Sequence, residues 1–414
     1  MRIEARPPRG LLRDAVAMTL ALSSGAWAPG VLAGPETFTA RAGVTESRDD
    51  NIFRLPEEVT PPRGGSRSDL ILSTTLGVNV ARDISRQHVE VDASIANTRY
   101  RDHTELDNTG NAVRASWQGE FGSHWKNDFV IENSKQLSNF ADFSSTEKNI
   151  VQSRSVSDSL SYKVTPEIFI AASVGRRRQS NSAETLRIAD YSASFRELGV
   201  LFVSPSNNQL KVSYRETDGR YPTPQRIASN TSFAPSVATN NYVQGNLDLS
   251  GDWAVTGTSR FSGRIGLTRR RYDDVSLHNF NGSTGAINYF WNPGGKLQIN
   301  AEARRIIDST SDISSSYFLT KGITLKPTWT PTEKISVTGS FDWTRRDPLG
   351  NLDRLPSFLA TRGDNTLGVG FLIIYKPTRN FNIELNVKRE QRNSEAQVSD
   401  YQDIKSLISI IALY

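Results

Sequence analysis

Cysteine is absent from the 414 residues, which removes disulfide frameworks, thiolate metal sites and cysteine nucleophiles together. Histidine is scarce: His88, His103, His124 and His278 are the only four, and no two stand at metal-ligand spacing. The chain carries no P-loop, no dinucleotide-binding glycine fingerprint and no Gly-x-Ser-x-Gly nucleophile elbow. Long apolar runs are missing too. Mean hydropathy is -0.45, and no window approaches the ~20 apolar residues of a membrane helix. A helical membrane protein is therefore excluded. A β-barrel is not, because lumen-facing residues dilute the hydropathy of every strand. The basic excess is mild, a net charge of +5 and a pI near 9.3. It favours anionic partners only where it clusters.

What is present begins with an export pattern. Arg2, Arg6, Arg9 and Arg13 form a basic stretch, Ala15–Leu22 a short apolar one, and Val31-Leu32-Ala33 a small-residue cleavage pattern before Gly34. This order predicts a signal peptide over 1–33 and a mature domain over 34–414.

Within that domain one grammar repeats. Val113, Ala115, Trp117, Gly119 and Phe121 alternate with Arg114, Ser116, Gln118 and Glu120. After Gly122–His124 the alternation resumes, with Trp125, Asn127, Phe129 and Ile131 against Lys126, Asp128, Val130 and Glu132. Period two means a strand with one apolar and one polar face. The ~9–11 alternating residues match a tilted strand crossing a bilayer. Similar segments recur every ~20 residues, one strand plus one connection, from a weak first one at Phe38–Val44 to a last one at Tyr401–Tyr414. They predict an all-β, transmembrane, antiparallel up-and-down β-barrel of about 18 strands, with 16 as the alternative.

Connection lengths alternate as well. Short turns such as Gly122–His124, Thr165–Glu167 and Lys376–Asn380 interleave with long loops such as Asp49–Arg67, Leu137–Lys148, Arg220–Asn240 and Asp347–Gly363. This sorting predicts periplasmic turns and extracellular loops in a bacterial outer membrane. At the carboxyl end, Ile404, Ser406, Ile408, Ile410, Ala412 and Tyr414 share one face. A last amphipathic strand ending on an aromatic resembles the signal read by the outer-membrane assembly machinery of Gram-negative bacteria.

No residue set looks catalytic, and no metal or other cofactor is expected. Asp102, His103, Glu105 and Asp107 form the densest polar cluster, and a solvated loop accounts for them through turn chemistry. Arginine placement is more informative. Parity sends Arg176, Arg178, Arg269, Arg271, Arg305 and Arg345 to the outer wall, where bidentate donors suit lipopolysaccharide phosphates. It sends Arg114, Glu120, Lys211, Arg260, Arg264, Arg270, Glu302 and Arg304 into the lumen as candidates for a solute path, and Arg177 with them. Opposite charges across a lumen can satisfy one another, so this mixture fixes no polarity of transport. The loop Arg220–Asn240 is a candidate to fold inward and narrow the channel.

The run Asp50-Asn51-Ile52-Phe53-Arg54-Leu55, then Ser68-Asp69, Arg86-Gln87, Tyr100 and Leu106-Asp107, resembles the EpsL family of outer-membrane proteins. These are associated with exopolysaccharide biosynthesis loci that also encode an exosortase system. The chain also resembles the broader β-barrel porin 2 group. The resemblance implies export of an exopolysaccharide across the outer membrane, with polysaccharide and periplasmic export components as partners, and carries no catalytic residues with it. The same residues could equally pin the first hairpins. The reading is polysaccharide secretion, against three alternatives: a general or anion-preferring small-solute porin, a plugged structural barrel, and an outer-membrane hydrolase. Nucleic acid is not expected as a partner.

Overall fold

The structure is a computed structural model that describes residues 36–142, 146–227, 236–274, 279–309, 317–349, 363–394 and 400–414. The expected signal peptide lies outside them. In chain order the strands are β1 (Glu36–Asp49), β2 (Asp69–Ile84), β3 (Gln87–Tyr100), β4 (Asn108–Phe121), β5 (Trp125–Leu137), β6 (Ile150–Lys163) and β7 (Ile168–Asn181). Then come β8 (Tyr191–Val203), β9 (Gln209–Arg220), β10 (Gln225–Ile227), β11 (Ser236–Ala238), β12 (Tyr242–Thr256), β13 (Ser259–Tyr272) and β14 (Phe280–Gly294). The last six are β15 (Leu297–Ser309), β16 (Tyr317–Thr332), β17 (Ile335–Leu349), β18 (Asp364–Thr378), β19 (Phe381–Ser394) and β20 (Tyr401–Leu413). Eighteen of them form one sheet. Each strand pairs antiparallel with its neighbours in sequence, β9 pairs with β12 across the small β10–β11 hairpin, and β20 pairs with β1. The sheet closes on itself. The chain is an up-and-down outer-membrane β-barrel.

Alternation builds the two faces. Leu267 is 63% exposed while its neighbour Thr268 is 1% exposed. Most side chains on the outer wall are apolar through the middle of their strands, as in Ile168, Ile170 and Val174 of β7 or Ile404, Ile408 and Ile410 of β20. An apolar outside and a polar inside are what lipid and water require of a spanning barrel, since only a closed sheet leaves no edge unpaired in hydrocarbon. The first strand, weak in sequence, runs the full 14 residues because it pairs on both sides, with β2 and with β20. Outward Glu46 and Arg48 hide its apolar rhythm near the extracellular end.

The turns at one end are tight. Ser85, Asn207 and Gly122 take the left-handed conformation, with φ of 55°, 63° and 59°. That geometry is cheapest for glycine and asparagine. At the other end, loops pack against one another. Ile52, Phe53, Leu106 and Phe140, from the loops after β1, β3 and β5, form a buried cluster with Leu55, Tyr100 and Leu137 against it. A second cluster joins Tyr221, Tyr242, Tyr272, Phe280 and Leu319 at the same end of β9, β12–β14 and β16.

Candidate functional site: the lumen and its covered mouth

Inward positions of successive strands place basic and acidic side chains within reach of each other. On β1, Arg41 reaches over β2 to Asp92 of β3 in a bidentate pair at 2.6 and 2.7 Å. It can do so because residue 77 beneath it is glycine; a Cβ there would lie 2.6 Å from the Arg41 Nε. Arg114 pairs with Glu132, whose other oxygen accepts from the Ser155 hydroxyl at 3.0 Å. Glu197 takes Lys211 on one oxygen and the Arg215 Nε on the other at 2.6 Å. Arg264 meets Asp248 at 2.9 Å, and Arg260 meets Asp252. Arg304 lies against Glu302 at 3.4 Å and donates to Thr324 and Thr344 at 3.1 and 3.0 Å. Near the tight turns Lys126 and Glu120 pair at 3.0 Å. Each such pair presents a solute with a short dipole, and its field falls away within a Debye length.

One candidate is sealed. Arg270 is 4% exposed, with its guanidinium carbon 4.0 Å from the Tyr242 ring centroid, its Nε donating to Gln244 at 2.7 Å and an Nη to the Tyr272 hydroxyl at 3.2 Å. It braces the aromatic cluster and meets no solute.

The mouth is covered on one side. Arg54 adopts a left-handed φ of 56° and turns its guanidinium inward onto Asp49, at 2.8 and 3.0 Å, and Asp403 of β20, at 3.1 Å. Asn51 donates to the carbonyls of Leu55 and Gln402 at 2.8 and 3.0 Å, stapling the loop to the last strand. Arg67 donates to the carbonyls of Leu55, Glu57 and Val59, closing the loop on itself. Asp69 accepts the backbone N–H groups of Arg101, Asp102 and His103 at 3.0, 3.0 and 2.9 Å, tying the second loop to the first. Arg392 of β19 holds Asp364 and donates to the Ala141 carbonyl at 2.8 Å, anchoring the third loop.

These contacts settle what several sequence features do. Asn51, Ile52, Phe53, Arg54, Leu55, Asp69, Tyr100, Leu106 and Asp107 pin the first hairpins together over the mouth. His103 is 4% exposed and spans the Ser66 carbonyl at 2.7 Å and Glu105 at 3.1 Å. Burial alone would lower its pKa, but these two acceptors raise it above the ordinary value. It is a loop strut. The cluster of Asp102, His103, Glu105 and Asp107 is thus absorbed by loop structure. The inward fold expected of Arg220–Asn240 lies partly outside the described residues; β10 and β11 pair there, and the described covering comes from the loops after β1, β3 and β5.

Parity placed Arg114, Glu120, Lys211, Arg260, Arg264, Arg270, Glu302 and Arg304 on the inner wall, and the register agrees. Arg176, Arg178, Arg269, Arg271, Arg305 and Arg345 stand on the outer wall toward the loop end, Arg305 donating to Ser283 at 3.2 Å and Arg345 to Asp347 at 2.7 Å. Sequence reasoning passed over Arg41 and Asp403, and read Arg54 only as part of a motif that could pin the first hairpins. Parity alone would have found Arg41. Arg54 and Asp403 sit 349 positions apart and meet only because β20 closes on β1.

Comparison with known proteins finds a partial family match and remote structural likenesses. The family described as "Putative beta-barrel porin 2" matches residues 240–412, less than half of the chain. Solved structures with a similar course include Pseudomonas aeruginosa OccK2 (OpdF), 10% identical with a TM-score of 0.49, covering 91% of this chain and 98% of that one. P. aeruginosa OpdK with vanillate is 8% identical with a TM-score of 0.47, covering 91% and 99%. A BenF-like porin from Pseudomonas fluorescens Pf-5 is 9% identical with a TM-score of 0.47, covering 91% and 99%. Such remote likeness carries no argument about solutes. No curated protein matches the chain.

Proposed function

We propose that the chain is an outer-membrane pore through which small hydrophilic solutes diffuse. The observation that carries this reading is the inner wall: a closed 18-stranded sheet lined by hydroxyls and internally neutralised charge pairs rather than by apolar packing. A barrel of this strand number is wide enough for an aqueous channel. The partial match to a porin family supports the same reading. Paired charges make a weakly selective field, and the loops pinned over one side of the mouth set an upper size for what enters. The outward arginines are assigned to lipopolysaccharide phosphates, which their forked donors fit.

Export of an exopolysaccharide is the second reading, resting on the resemblance of the first hairpins to EpsL proteins. The residues that carry that resemblance hold loops over the mouth, so a polymer would need those loops to lift. Single-channel conductance of refolded protein in planar bilayers separates the readings. A steady conductance that neither dextran nor an anionic polysaccharide interrupts supports the porin. Block by polysaccharide at concentrations where monosaccharides do nothing supports export. A silent membrane removes both and leaves a plugged barrel.

A further inference from the structure

We propose that Arg177, on the inner face of β7, is the oxyanion-binding group of the pore, and that it selects small hydroxylated carboxylates. The proposal rests on the pore reading and deepens it.

Pairing sets Arg177 apart from the other inward arginines. Arg41, Arg114, Arg215, Arg260, Arg264 and Arg392 point inward and each holds a carboxylate, while Arg304 holds Glu302 and two threonines. Arg177 faces the lumen by register, opposite Ser155 on β6 and Ala193 on β8. Among the described residues no carboxylate or other side chain bonds its guanidinium, and its Nε is out of water without a partner. The inward glutamates on β5 and β8 are already engaged. Glu132, next in the row beyond Ser155, is shared by Arg114 and Ser155. Glu197 is shared by Lys211 and Arg215.

The surroundings fit an oxyanion with hydroxyls. Inward positions of β6 carry Ser153, Ser155, Ser157, Ser159 and Ser161, each two residues from the next, so hydroxyls recur every ~7 Å along the wall. Ser159 is engaged with Ser173 at 2.7 Å and Ser155 with Glu132; Ser153 and Ser157 flank the Arg177 level with no side-chain bond among the described residues. On the far side Ala193 leaves room beside Arg177, and the Tyr242 ring over Gly219 closes the space beyond it. Below, the Phe195 ring lies over Gly175, where a Cβ would come within 2.5 Å of it, and Arg215 stacks on that ring at 4.4 Å. The stacked ring holds Arg215 away from the recess and gives it an apolar floor. A guanidinium fork matches a carboxylate in a bidentate manner, and adjacent hydroxyls can take the hydroxyls of a sugar acid. Of the inward charges without an ion pair, Lys405 lies opposite Asp49 in register, Glu384 lies near Lys376, and Asp342 accepts from Thr324. Lys326 on β16 and Lys163 near the turn end of β6 add to the attraction for anions.

The test compares gluconate with glucitol, which has the same carbon skeleton and no carboxylate. Through the wild-type pore, gluconate is expected to give resolvable current block and glucitol none. R177S should raise the half-blocking gluconate concentration about tenfold, the loss expected for one charge-assisted pair, with R177K between the two because lysine lacks the fork. Urea unfolding and far-ultraviolet circular dichroism of R177S should match wild type, showing that the barrel is intact. Unchanged gluconate block in R177S that folds as wild type overturns the proposal. Equal block by glucitol also overturns it, because the carboxylate would then be irrelevant. If no preparation conducts, the pore reading fails, and calorimetry of gluconate binding to the detergent-folded wild type and R177S still decides whether Arg177 binds carboxylate.

Discussion

The mouth sector formed by β18–β20 and β1–β5 and the wall formed by β6–β8 use charge in opposite ways. In the first, Arg54, Asp49, Asp403, Arg392 and Asp364 are consumed in holding loops. In the second, the inward arginine, Arg177, stands among serines, and the inward carboxylate of that wall, Glu197, is taken by Lys211 and Arg215 of β9. The difference follows from what each sector must do. Three loops come down on the mouth sector, and each brings backbone groups and side chains that need partners away from water. Over β6 and β7 the strands are already fully paired, so a charge there can serve the solute. A buried ion pair in this barrel marks structure, and an unpaired inward cation marks the path.

The largest expected effect tests the structural half of that contrast. Arg54→Ala leaves Asp49 and Asp403 facing each other at 5% and 4% side-chain exposure. Removing one partner of such a buried set costs about 3–5 kcal/mol. The loss should fall on the loop: hydrogen exchange over 50–68 should accelerate while the strands stay protected, and conductance should rise as the mouth clears. Unchanged exchange in that loop would remove the latch.

Next comes the contrast between the two faces of one strand. Ile265→Arg places a charge on the lipid face of β13 and should cost ~2–4 kcal/mol near the midplane. Ser262→Arg, on the lumen face of the same strand, should unfold in urea within experimental error of wild type. Equal costs would break the facing assignment.

A smaller effect is expected at Gly77. Gly77→Ala drives a Cβ into the Arg41 side chain and should cost about 1–3 kcal/mol, the usual range for overpacking. Pairing it with Asp92→Asn should give less than the sum, because both act on the Arg41–Asp92 contact.

The smallest effect is a pH dependence at the mouth. His103 has its folded pKa raised above the unfolded value by Ser66 and Glu105, with the unfolded value near ~6.5. Its contribution to the loop is therefore full below ~6.5 and fades as pH rises through the raised folded pKa. Loop exchange should quicken over that interval in the wild type, and His103→Gln should flatten the profile. A profile that His103→Gln leaves unchanged would exclude this histidine as the cause.

Much of the barrel was legible because period-two alternation is a local property. The Val113–Ile131 hairpin, its break at Gly122–His124 and the face of Ile404–Tyr414 each follow from a strand having two sides. Parity likewise put Arg114, Lys211, Arg264 and Arg304 on the inner wall. It could not tell that Arg270 would be sealed under Tyr242 while Arg177, also inward by parity, would be left without a partner. That depends on what neighbouring strands bring to the same row, and register across strands is set by the closed sheet.

The sequence by itself determined the class of fold: a barrel of about 18 strands, the lipid-facing and water-facing sides, and which end carries long loops, since each follows from side-chain period and turn chemistry within a few residues. Only the tertiary structure decided which charges are spent. Arg54 meets Asp403, and Arg392 meets Ala141, across most of the chain length, and no local pattern encodes those meetings. They exist because β20 pairs with β1 and brings both ends of the chain under the same loops.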